Sequence, residues 1–399
     1  MLTSHYFVRL SLLCFCCFAN SGVFAFELNE KLTKTDAVLI TKSNGESIFE
    51  WQVDKQLIPA SLTKLITAHL AIEKWGLTHR FRTEFYLDSH TLWVKGYGDP
   101  YLVSEELDLI AIELLKKTSA EKIRELAIDN SYFDVRNVPG RSSVSDPYNA
   151  PVSAVAANFN TVSLRRQSGE IASAEPQTPL TSTALIQANK SNKRFGDAAE
   201  RINLANADNA QRHFAELLAI KLGLPQPVLR INQSLPNSAK LLYTHSNSHT
   251  VKDVLRGSLK YSNNFIANQV FLKLSDDGKS FAQASQAAQQ KLRESFEWQD
   301  FMLFDGSGLS RKNRLSAQQI NTVLSTLARH RTLLKSYDIG NKHGATVYAK
   351  TGTLDGVRSF AGFIKIHDVD YQFVFIFNRT VDWRYRETLL ERVISGLVK

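Results

Sequence analysis

Cysteine is almost missing from this chain. Only three of the 399 residues are cysteines, Cys14, Cys16 and Cys17, and all three lie close to the N-terminus. If that segment is cleaved, the remaining protein has no disulfide, no thiol nucleophile and no thiolate metal ligand. Such a protein has to be stabilised by its hydrophobic core. A chain of this length with 43% hydrophobic residues can build a large one.

Long hydrophobic runs are missing as well after residue 25. No later stretch approaches the roughly 20 apolar residues of a membrane-spanning helix. At the start, Arg9 precedes the apolar stretch Leu10–Phe18, and Val23-Phe-Ala25 offers a cleavage site before Phe26. This pattern predicts a secretory signal peptide over residues 1–25. An uncleaved N-terminal membrane anchor is the alternative interpretation.

Blocks of like charge are also lacking, although the net charge is +9. Basic residues are spread along the chain instead of forming one run. Nucleic acid is a poor partner for an exported protein. The charge instead favours peripheral association with an anionic cell-wall polymer or membrane surface.

Ser61 and Lys64 stand out among the residues that are present. They are three apart at the start of an apolar stretch, so on a helix they would share one face. A desolvated lysine amine beside a serine hydroxyl is one way to activate a nucleophile. The same spacing recurs at Ser119 and Lys122. That pair lies in a charged turn with no apolar helix behind it and is predicted to be solvated surface.

Two further motifs follow in order, Ser262-Asn-Asn264 and Lys350-Thr-Gly352. The second precedes an apolar helical stretch and the third ends a predicted strand. A Ser-x-x-Lys motif followed by these two is typical of penicillin-binding proteins and serine β-lactamases. The three motifs together therefore indicate an acyl-transfer site.

The residue types fit the needs of acyl transfer. Ser61 is predicted to attack the carbonyl, with Lys64 as base. Ser262 can pass the proton to the leaving amine, and Asn264 can hold Lys64 and the substrate amide. Lys350 supplies positive charge for a terminal carboxylate.

The strand after Lys350 is predicted to bind substrate. Gly352 would let the substrate lie along the strand edge. The backbone N–H groups of Ser61 and Thr353 would form an oxyanion hole. Thr351, Gly352 and Thr353 are therefore predicted substrate-binding residues.

The chain resembles the D-alanyl-D-alanine carboxypeptidases of the penicillin-binding protein 4 type (low-molecular-mass class C). Besides the three motifs, the resemblance rests on Lys95-Gly-Tyr-Gly-Asp-Pro100, Ile128-Asp-Asn-Ser-Tyr-Phe-Asp134, Asp305-Gly-Ser-Gly-Leu-Ser-Arg311 and Lys350-Thr-Gly-Thr-Leu-Asp-Gly356. It implies a periplasmic enzyme of a Gram-negative bacterium that removes the terminal D-Ala from peptidoglycan stem peptides. It also implies cleavage of D-Ala–diaminopimelate cross-links and acylation by β-lactams. In such proteins an aspartate and an arginine approach the free end of the substrate, and Asp146 and Arg311 are the matching positions here.

The order of the predicted elements suggests one domain built from both chain ends. Strands near the N-terminus and a strand trio near the C-terminus, each flanked by helices, enclose a middle of short strands; one of these is predicted over Thr183–Ala188. With the resemblance, this implies an α/β (α+β) penicilloyl-serine transferase fold with an antiparallel sheet flanked by helices. The catalytic domain is predicted over residues 26–83 and 248–399, and a β-rich inserted domain over residues 84–247.

Other functions remain open at this stage. His245 and His249 have the spacing of metal ligands on a helix, but no third candidate ligand stands near them. Neither a metal nor a cofactor is expected. A serine β-lactamase and a non-catalytic peptidoglycan-binding scaffold are the two alternative functions.

Overall fold

The computed structural model describes residues 32–135, 137–276 and 280–398. The predicted signal peptide and the three cysteines lie outside these residues. The strands are β1 Asp36–Lys42, β2 Ser47–Trp51, β3 Arg80–Asp88, β4 Thr91–Gly96, β5 Glu125–Asp129, β6 Thr161–Gln167, β7 Glu170–Ser173, β8 Glu200–Asn203, β9 Val228–Arg230, β10 Lys240–Thr250, β11 Lys335–Tyr337, β12 Ala345–Leu354, β13 Val357–Ile366 and β14 Val369–Phe377. The α-helices are α1 Thr63–Trp75, α2 Ser104–Leu115, α3 Ser182–Lys190, α4 Ala207–Lys221, α5 Val251–Lys260, α6 Asn264–Leu272, α7 Phe281–Phe296, α8 Ala317–Leu327 and α9 Tyr385–Val398.

The largest sheet joins the two ends of the chain. Its order is β11-β12-β13-β14-β1-β2, and every neighbouring pair is antiparallel. The N-terminal strand β1 lies in the middle, paired with β14 so that Val38 faces Phe375. The prediction of an antiparallel sheet assembled from both chain ends is therefore confirmed.

Both faces of this sheet are covered by helices. Alternate residues of β14 point to opposite faces. Val374 and Ile376 belong to the hydrophobic core that includes α1 and α8. Phe373 and Phe375 belong to a second core, closed by residues of α9. Burial of each such side chain stabilises the fold by about 1.5–3 kcal/mol, which explains why the strand is apolar from Phe373 to Phe377.

Helix α1 runs through the first of these cores. Every residue from Thr63 to Ala71 is buried, including Lys64. The helix ends at Gly76, which has a φ of +69° and donates its N–H to Ile72 O. A helix buried on all sides can present the residues that precede it from a fixed position.

The middle of the chain forms two smaller sheets. One has the order β10-β3-β4-β5-β9 and packs against α2 and α4. The other has the order β7-β6-β8 and packs against α3. All strands of these two sheets lie between Arg80 and Thr250. The division into residues 26–83 with 248–399 and an inserted part 84–247 stays a prediction.

One predicted strand is a helix. Thr183–Ala188, read as a strand because of its β-branched residues, lies within α3. The side chain of Thr181 caps this helix by accepting a hydrogen bond from Ala184 N. The cap therefore decided the local structure against a weak β propensity. Among the described residues, no helix has the length and apolar character needed to cross a membrane.

Candidate active site

Ser61 lies in a 3-10 turn immediately before α1. Ala60 has a φ of +50°, a left-handed conformation that costs a non-glycine residue about 1–2 kcal/mol. The turn is held on both sides, because Thr63 Oγ1 donates to Ala60 O at 2.9 Å and Ser359 Oγ donates to Pro59 O at 2.8 Å. The serine is thus fixed against strand β13 by contacts that do not use its own hydroxyl.

Two glycines allow other segments to approach this turn closely. A Cβ on Gly308 would lie 1.8 Å from Ala60 O, and its φ is +81°. A Cβ on Gly352 would lie 2.1 Å from Ser359 Oγ and 3.0 Å from Ser61 N. The glycine-rich loop and strand β12 can therefore contact the serine turn only because these positions lack side chains.

Lys64 is completely buried, with no exposed surface. Its Nζ lies 3.1 Å from Ser61 Oγ and donates to Asn264 Oδ1 and to Ser307 O, both at 2.7 Å. A neutral amine has two N–H groups and one lone pair. With both N–H groups donated to these two oxygens, the lone pair is directed to the Ser61 hydroxyl. This is the geometry of a base that accepts the serine proton.

Burial also makes the neutral form of this amine accessible. Desolvation lowers the pKa of Lys64 to about 7, although the charge of Asp305 acts in the opposite direction. The free base is therefore accessible near neutral pH. General bases are most effective when their pKa lies near the working pH.

The loop that contains Ser307 is held by buried polar groups. The carboxylate of Asp305 accepts hydrogen bonds from three loop amides at 3.1–3.2 Å and from the side chains of Ser307 and Asn313 at 2.5 and 2.7 Å. Asn268 Oδ1 accepts from two loop amides, at 3.0 and 3.1 Å. The contact of Ser307 O with Lys64 was not predicted, because a backbone acceptor is not encoded by residue type. The motif Asp305–Arg311 was the available signal.

Lys350 on β12 is the second buried lysine, 1% exposed. Its Nζ donates to Ser262 Oγ at 2.8 Å and to Thr351 O at 2.6 Å. Burial and then the charge of Lys64 lower the pKa of Lys350 well below its ordinary value. Because Ser262 Oγ accepts from Lys350, its own proton is free to be donated elsewhere. Ser262 is also held in the left-handed region, with a φ of +57°.

Asn264 links the catalytic residues to the middle of the chain. Its Oδ1 accepts from Lys64, and its Nδ2 donates to Tyr148 O at 3.0 Å. Both ends of this amide are therefore fixed. Tyr148 itself is half exposed at the rim of the cleft.

These residues open into one cleft of about 630 Å³. The cleft is lined by Ser61, Tyr148, Ser262, Asn264, Gly308, Leu309, Thr351, Thr353, Leu354, Asp355 and Arg358. One cleft is thus lined by the predicted catalytic residues Ser61, Ser262 and Asn264. The predicted binding residues Thr351 and Thr353 line the same cleft. Lys64 and Lys350 contact it from within.

Asp146 and Arg311 do not line this cleft. Asp146 Oδ1 lies 2.8 Å from Lys193 Nζ, which also contacts Glu200 Oε1 at 3.0 Å. Arg311 is exposed and donates from Nη1 to Asp355 O at 2.7 Å. Asp355 does line the cleft, so Arg311 is one residue removed from it. Contacts of Asp146 and Arg311 with substrate stay a prediction.

The two histidines with metal-ligand spacing have a different environment. His245 Nε2 lies 2.7 Å from Glu106 Oε2, and His249 Nε2 lies 4.0 Å from Glu106 Oε1. Within the described ranges no group of three or more histidine, cysteine, aspartate or glutamate residues is arranged to hold a metal ion. Ser119 directly precedes a short 3-10 turn that ends at Lys122, and Lys122 is exposed as expected.

Comparison with known proteins gives consistent similarities. Residues 26–391 match the D-Ala-D-Ala carboxypeptidase 3 (S13) family. The chain is 25% identical over 425 aligned positions to the D-alanyl-D-alanine carboxypeptidase DacB of Haemophilus influenzae, covering 87% of this chain and 86% of the relative. A D-alanyl-D-alanine carboxypeptidase of Actinomadura sp. is 33% identical over 105 residues, which are 24% of this chain and only 20% of that relative. The structure of penicillin binding protein 4 (dacB) from H. influenzae superposes with a TM-score of 0.74 at 22% identity, covering 94% of this chain and 99% of that one.

Proposed function

The chain belongs to the D-Ala-D-Ala carboxypeptidase 3 (S13) family of serine-type hydrolases, and from this premise we propose that it cleaves peptidoglycan stem peptides through an acyl-enzyme on Ser61. The bond cleaved is the one on the carbonyl side of the penultimate D-Ala. Its leaving group is either the terminal D-Ala or the diaminopimelate of a cross-link.

One observation carries this proposal. The buried amine of Lys64 donates to two fixed acceptors, Asn264 Oδ1 and Ser307 O, and its lone pair faces Ser61 Oγ. A structural lysine in a core would need a carboxylate partner to offset its desolvation. Among the described residues, no carboxylate lies within 4 Å of this amine. The site therefore supports a neutral amine acting on the serine.

Acylation follows from these contacts. Ser61 Oγ attacks the carbonyl carbon while its proton moves to Lys64 Nζ. The negative charge on the carbonyl oxygen would be stabilised by the N–H groups of Ser61 and Thr353. Collapse of this intermediate breaks the C–N bond, and the leaving amine takes a proton through Ser262, which Lys350 holds at 2.8 Å.

Deacylation reverses the proton movements. A water attacks the ester carbonyl and gives a proton to the lysine, and Ser61 Oγ regains its proton as it leaves. The products are a peptide with a new carboxylate and either free D-Ala or a separated stem peptide with a free amine on its diaminopimelate. A β-lactam would acylate the same serine, and the H. influenzae protein is known in complex with a β-lactam.

We further propose that the protein works in the periplasm, after removal of residues 1–25. Its substrate is a cell-wall polymer, and the net charge of +9, of which residues 1–25 carry only Arg9, favours association with an anionic surface. Chain-end sequencing of the exported protein tests this, with Phe26 as the expected first residue.

Labelling with a fluorescent penicillin tests the catalytic proposal. The native protein is expected to become covalently labelled, and Ser61→Ala is expected to lose all labelling. Ser119→Ala, at the serine of the other Ser-x-x-Lys sequence, is the matched control and should label fully. Absence of label on correctly folded native protein would contradict the proposal.

Two further measurements separate the alternatives. Release of the bound penicillin within seconds would indicate a β-lactamase. Digestion of purified cross-linked muropeptides, with mass analysis of the products, shows how terminal D-Ala release compares with cross-link cleavage. A protein that neither labels nor digests muropeptides would be a scaffold.

A further inference from the structure

Arg386 contacts Thr353, a residue that lines the cleft, and no sequence motif indicated it. It is the second residue of α9, on the opposite side of the large sheet from α1. Its Nη1 donates to Gly352 O at 3.1 Å, Thr353 Oγ1 at 3.2 Å and Ser359 O at 3.4 Å. The guanidinium therefore lies against β12 and β13, beside the residues of β12 that are predicted to bind substrate.

Among the described residues no carboxylate lies within 4 Å of the Arg386 guanidinium; burial lowers the pKa of Arg386, and the charges of Tyr337 and Glu387 act in the opposite direction. Its hydrogen-bond acceptors are two backbone carbonyls and one hydroxyl, and its Nε is buried without a partner. Its guanidinium lies 5.9 Å from the ring of Phe360. Taking a guanidinium out of water without a counter-ion is costly. A site that retains such a charge beside an open cleft is suited to an anionic ligand.

The hydrogen bond to Thr353 connects Arg386 to the cleft, because Thr353 lines it. A hydroxyl has one proton and accepts with its lone pairs. Because Thr353 Oγ1 accepts from Arg386, its own proton is available for an acceptor on the cleft side, where Thr353 is exposed. Lys350 lies two residues before Gly352 on the same strand. Arg386 thus places a guanidinium near the part of β12 that carries Lys350 and Thr353.

We propose that Arg386 is a positioning residue for the free carboxylate of the leaving amino acid. It orients the Thr353 hydroxyl toward that carboxylate. This inference rests on the proposed function of the Ser61 site. It predicts that Arg386 determines how strongly the enzyme prefers a leaving group with a free carboxylate.

A matched pair of substrates tests this role. Both are acyl-D-Ala thioesters, and they differ only in a carboxylate or a carboxamide on the thiol leaving group. A thioester is more reactive than an amide, so both rates are measurable by thiol release. Arg386→Gln is expected to lower kcat/KM for the carboxylate substrate by about 10- to 100-fold, mainly through KM, as for a lost charge-assisted hydrogen bond. The carboxamide substrate should change less than about threefold.

Three controls make the result specific. Arg384→Gln removes an exposed arginine of the same segment, which stacks on Trp383, and should change neither substrate. Arg386→Lys keeps the charge and should restore part of the preference. Thr353→Val should give the same selective loss. Combined with Arg386→Gln it should add little further loss, because the arginine acts through the hydroxyl.

The outcomes separate this inference from the proposed function. Equal losses on both substrates with Arg386→Gln would overturn the inference while leaving the peptidase activity in place. If native protein hydrolyses neither thioester, the proposed function itself fails. If Arg386→Gln does not fold, Arg386→Lys and Thr353→Val decide by the same ratio of the two substrates.

Discussion

Two lysines in one cleft have to share a limited capacity for positive charge. Lys64 and Lys350 are both almost fully buried, and each cation disfavours the other. The contacts divide the tasks. Lys64 has two acceptors for its N–H groups and faces Ser61, whereas Lys350 donates to Ser262. On these contacts we assign the proton-accepting amine to Lys64, whereas Lys350 holds Ser262.

This assignment predicts that acylation depends on pH. The pKa of Lys64 is lowered to about 7, so the amine is protonated below that pH and cannot accept the Ser61 proton. The second-order rate of labelling by a fluorescent penicillin should fall about tenfold per pH unit below pH 7. It should level off above pH 8.

Asp305→Asn provides a test of the cause. The charge of Asp305 raises the pKa of Lys64, so its removal should shift the midpoint to lower pH. The rate is followed from pH 5 to pH 9, with the folded fraction checked by circular dichroism at each pH. A midpoint near the ordinary lysine value, or a rate that falls with rising pH, would contradict the role of Lys64 as base.

At the residue scale, the sequence indicated side chains but not backbone partners. The three motifs identified Ser61, Lys64 and Lys350, which the structure brings to one cleft. Ser307 O and Arg386 were missed, because a carbonyl is common to every residue and an isolated arginine near a chain end belongs to no motif. Both are found only when the fold places them.

At the scale of elements, the position of β12 depends on how closely the strand can approach the turn that carries Ser61. Gly352 faces Ser359 in the register of β12 and β13. Ser359 Oγ occupies the space beside it and donates to Pro59 O. Any side chain at residue 352 would therefore separate the strand from the turn that carries Ser61.

Gly352→Ala should consequently damage acylation far more than stability. The added Cβ would lie 2.1 Å from Ser359 Oγ and 2.9 Å from Pro59 O, so the strand has to shift. Displacements of this kind cost about 100-fold in rate. The measurement is the rate of penicillin labelling beside the thermal midpoint of unfolding.

Gly196→Ala is the control for this variant, because its added Cβ would meet no atom within 4 Å. It should leave the labelling rate unchanged. A Gly352→Ala protein that labels at the native rate would show that β12 does not need this close approach.

Elements with strong local signals were predicted well. The strand trio near the C-terminus is found as β12 to β14, and the apolar helical stretch after Ser262-Asn-Asn264 is found as α6. The error at α3 arose because Thr183 and Ile186 favour a strand, while the capping residue Thr181 lies outside the predicted segment. Short segments with mixed signals depend on such flanking contacts and on packing.

At the scale of the whole molecule, pairing of the chain ends was predictable and the arrangement of the middle was not. Apolar strands near both chain ends each need a strand to pair with, and this indicated that they share one sheet. The parallel pairs β4 with β5 and β5 with β9 depend on long connections that leave no local pattern. The contacts that connect the middle to the helices around the cleft include Asn264 with Tyr148 and Gln269 with Ser153, and the Glu106 cluster adds a further connection.

Glu106 on α2 fastens the middle of the chain to the segment that leads into α5. It is 2% exposed. Its carboxylate accepts from His245 Nε2 at 2.7 Å, from Ser248 N at 3.1 Å and from Ser248 Oγ. His249 is the other titratable group facing it. Burial alone would raise the pKa of Glu106, but the hydrogen bonds from His245 and Ser248 outweigh it and lower the pKa to about 2.

This lowered pKa predicts a specific acid response of the whole fold. A carboxyl that stays ionised in the folded state stabilises it fully above its unfolded pKa of about 4.5, and the contribution is lost as pH falls toward 2. Glu106→Gln should lower the free energy of unfolding at pH 7 by about 2 kcal/mol. The difference from native protein should shrink between pH 4.5 and pH 2.

Urea unfolding across this range measures it, with Glu105→Gln, an exposed neighbour on α2, as control. If Glu106→Gln has the same free energy of unfolding as native protein at pH 7 and at pH 2, the Glu106 cluster does not hold the middle of the chain to the segment before α5. If it is equally weakened at all pH values, packing and not ionisation is responsible.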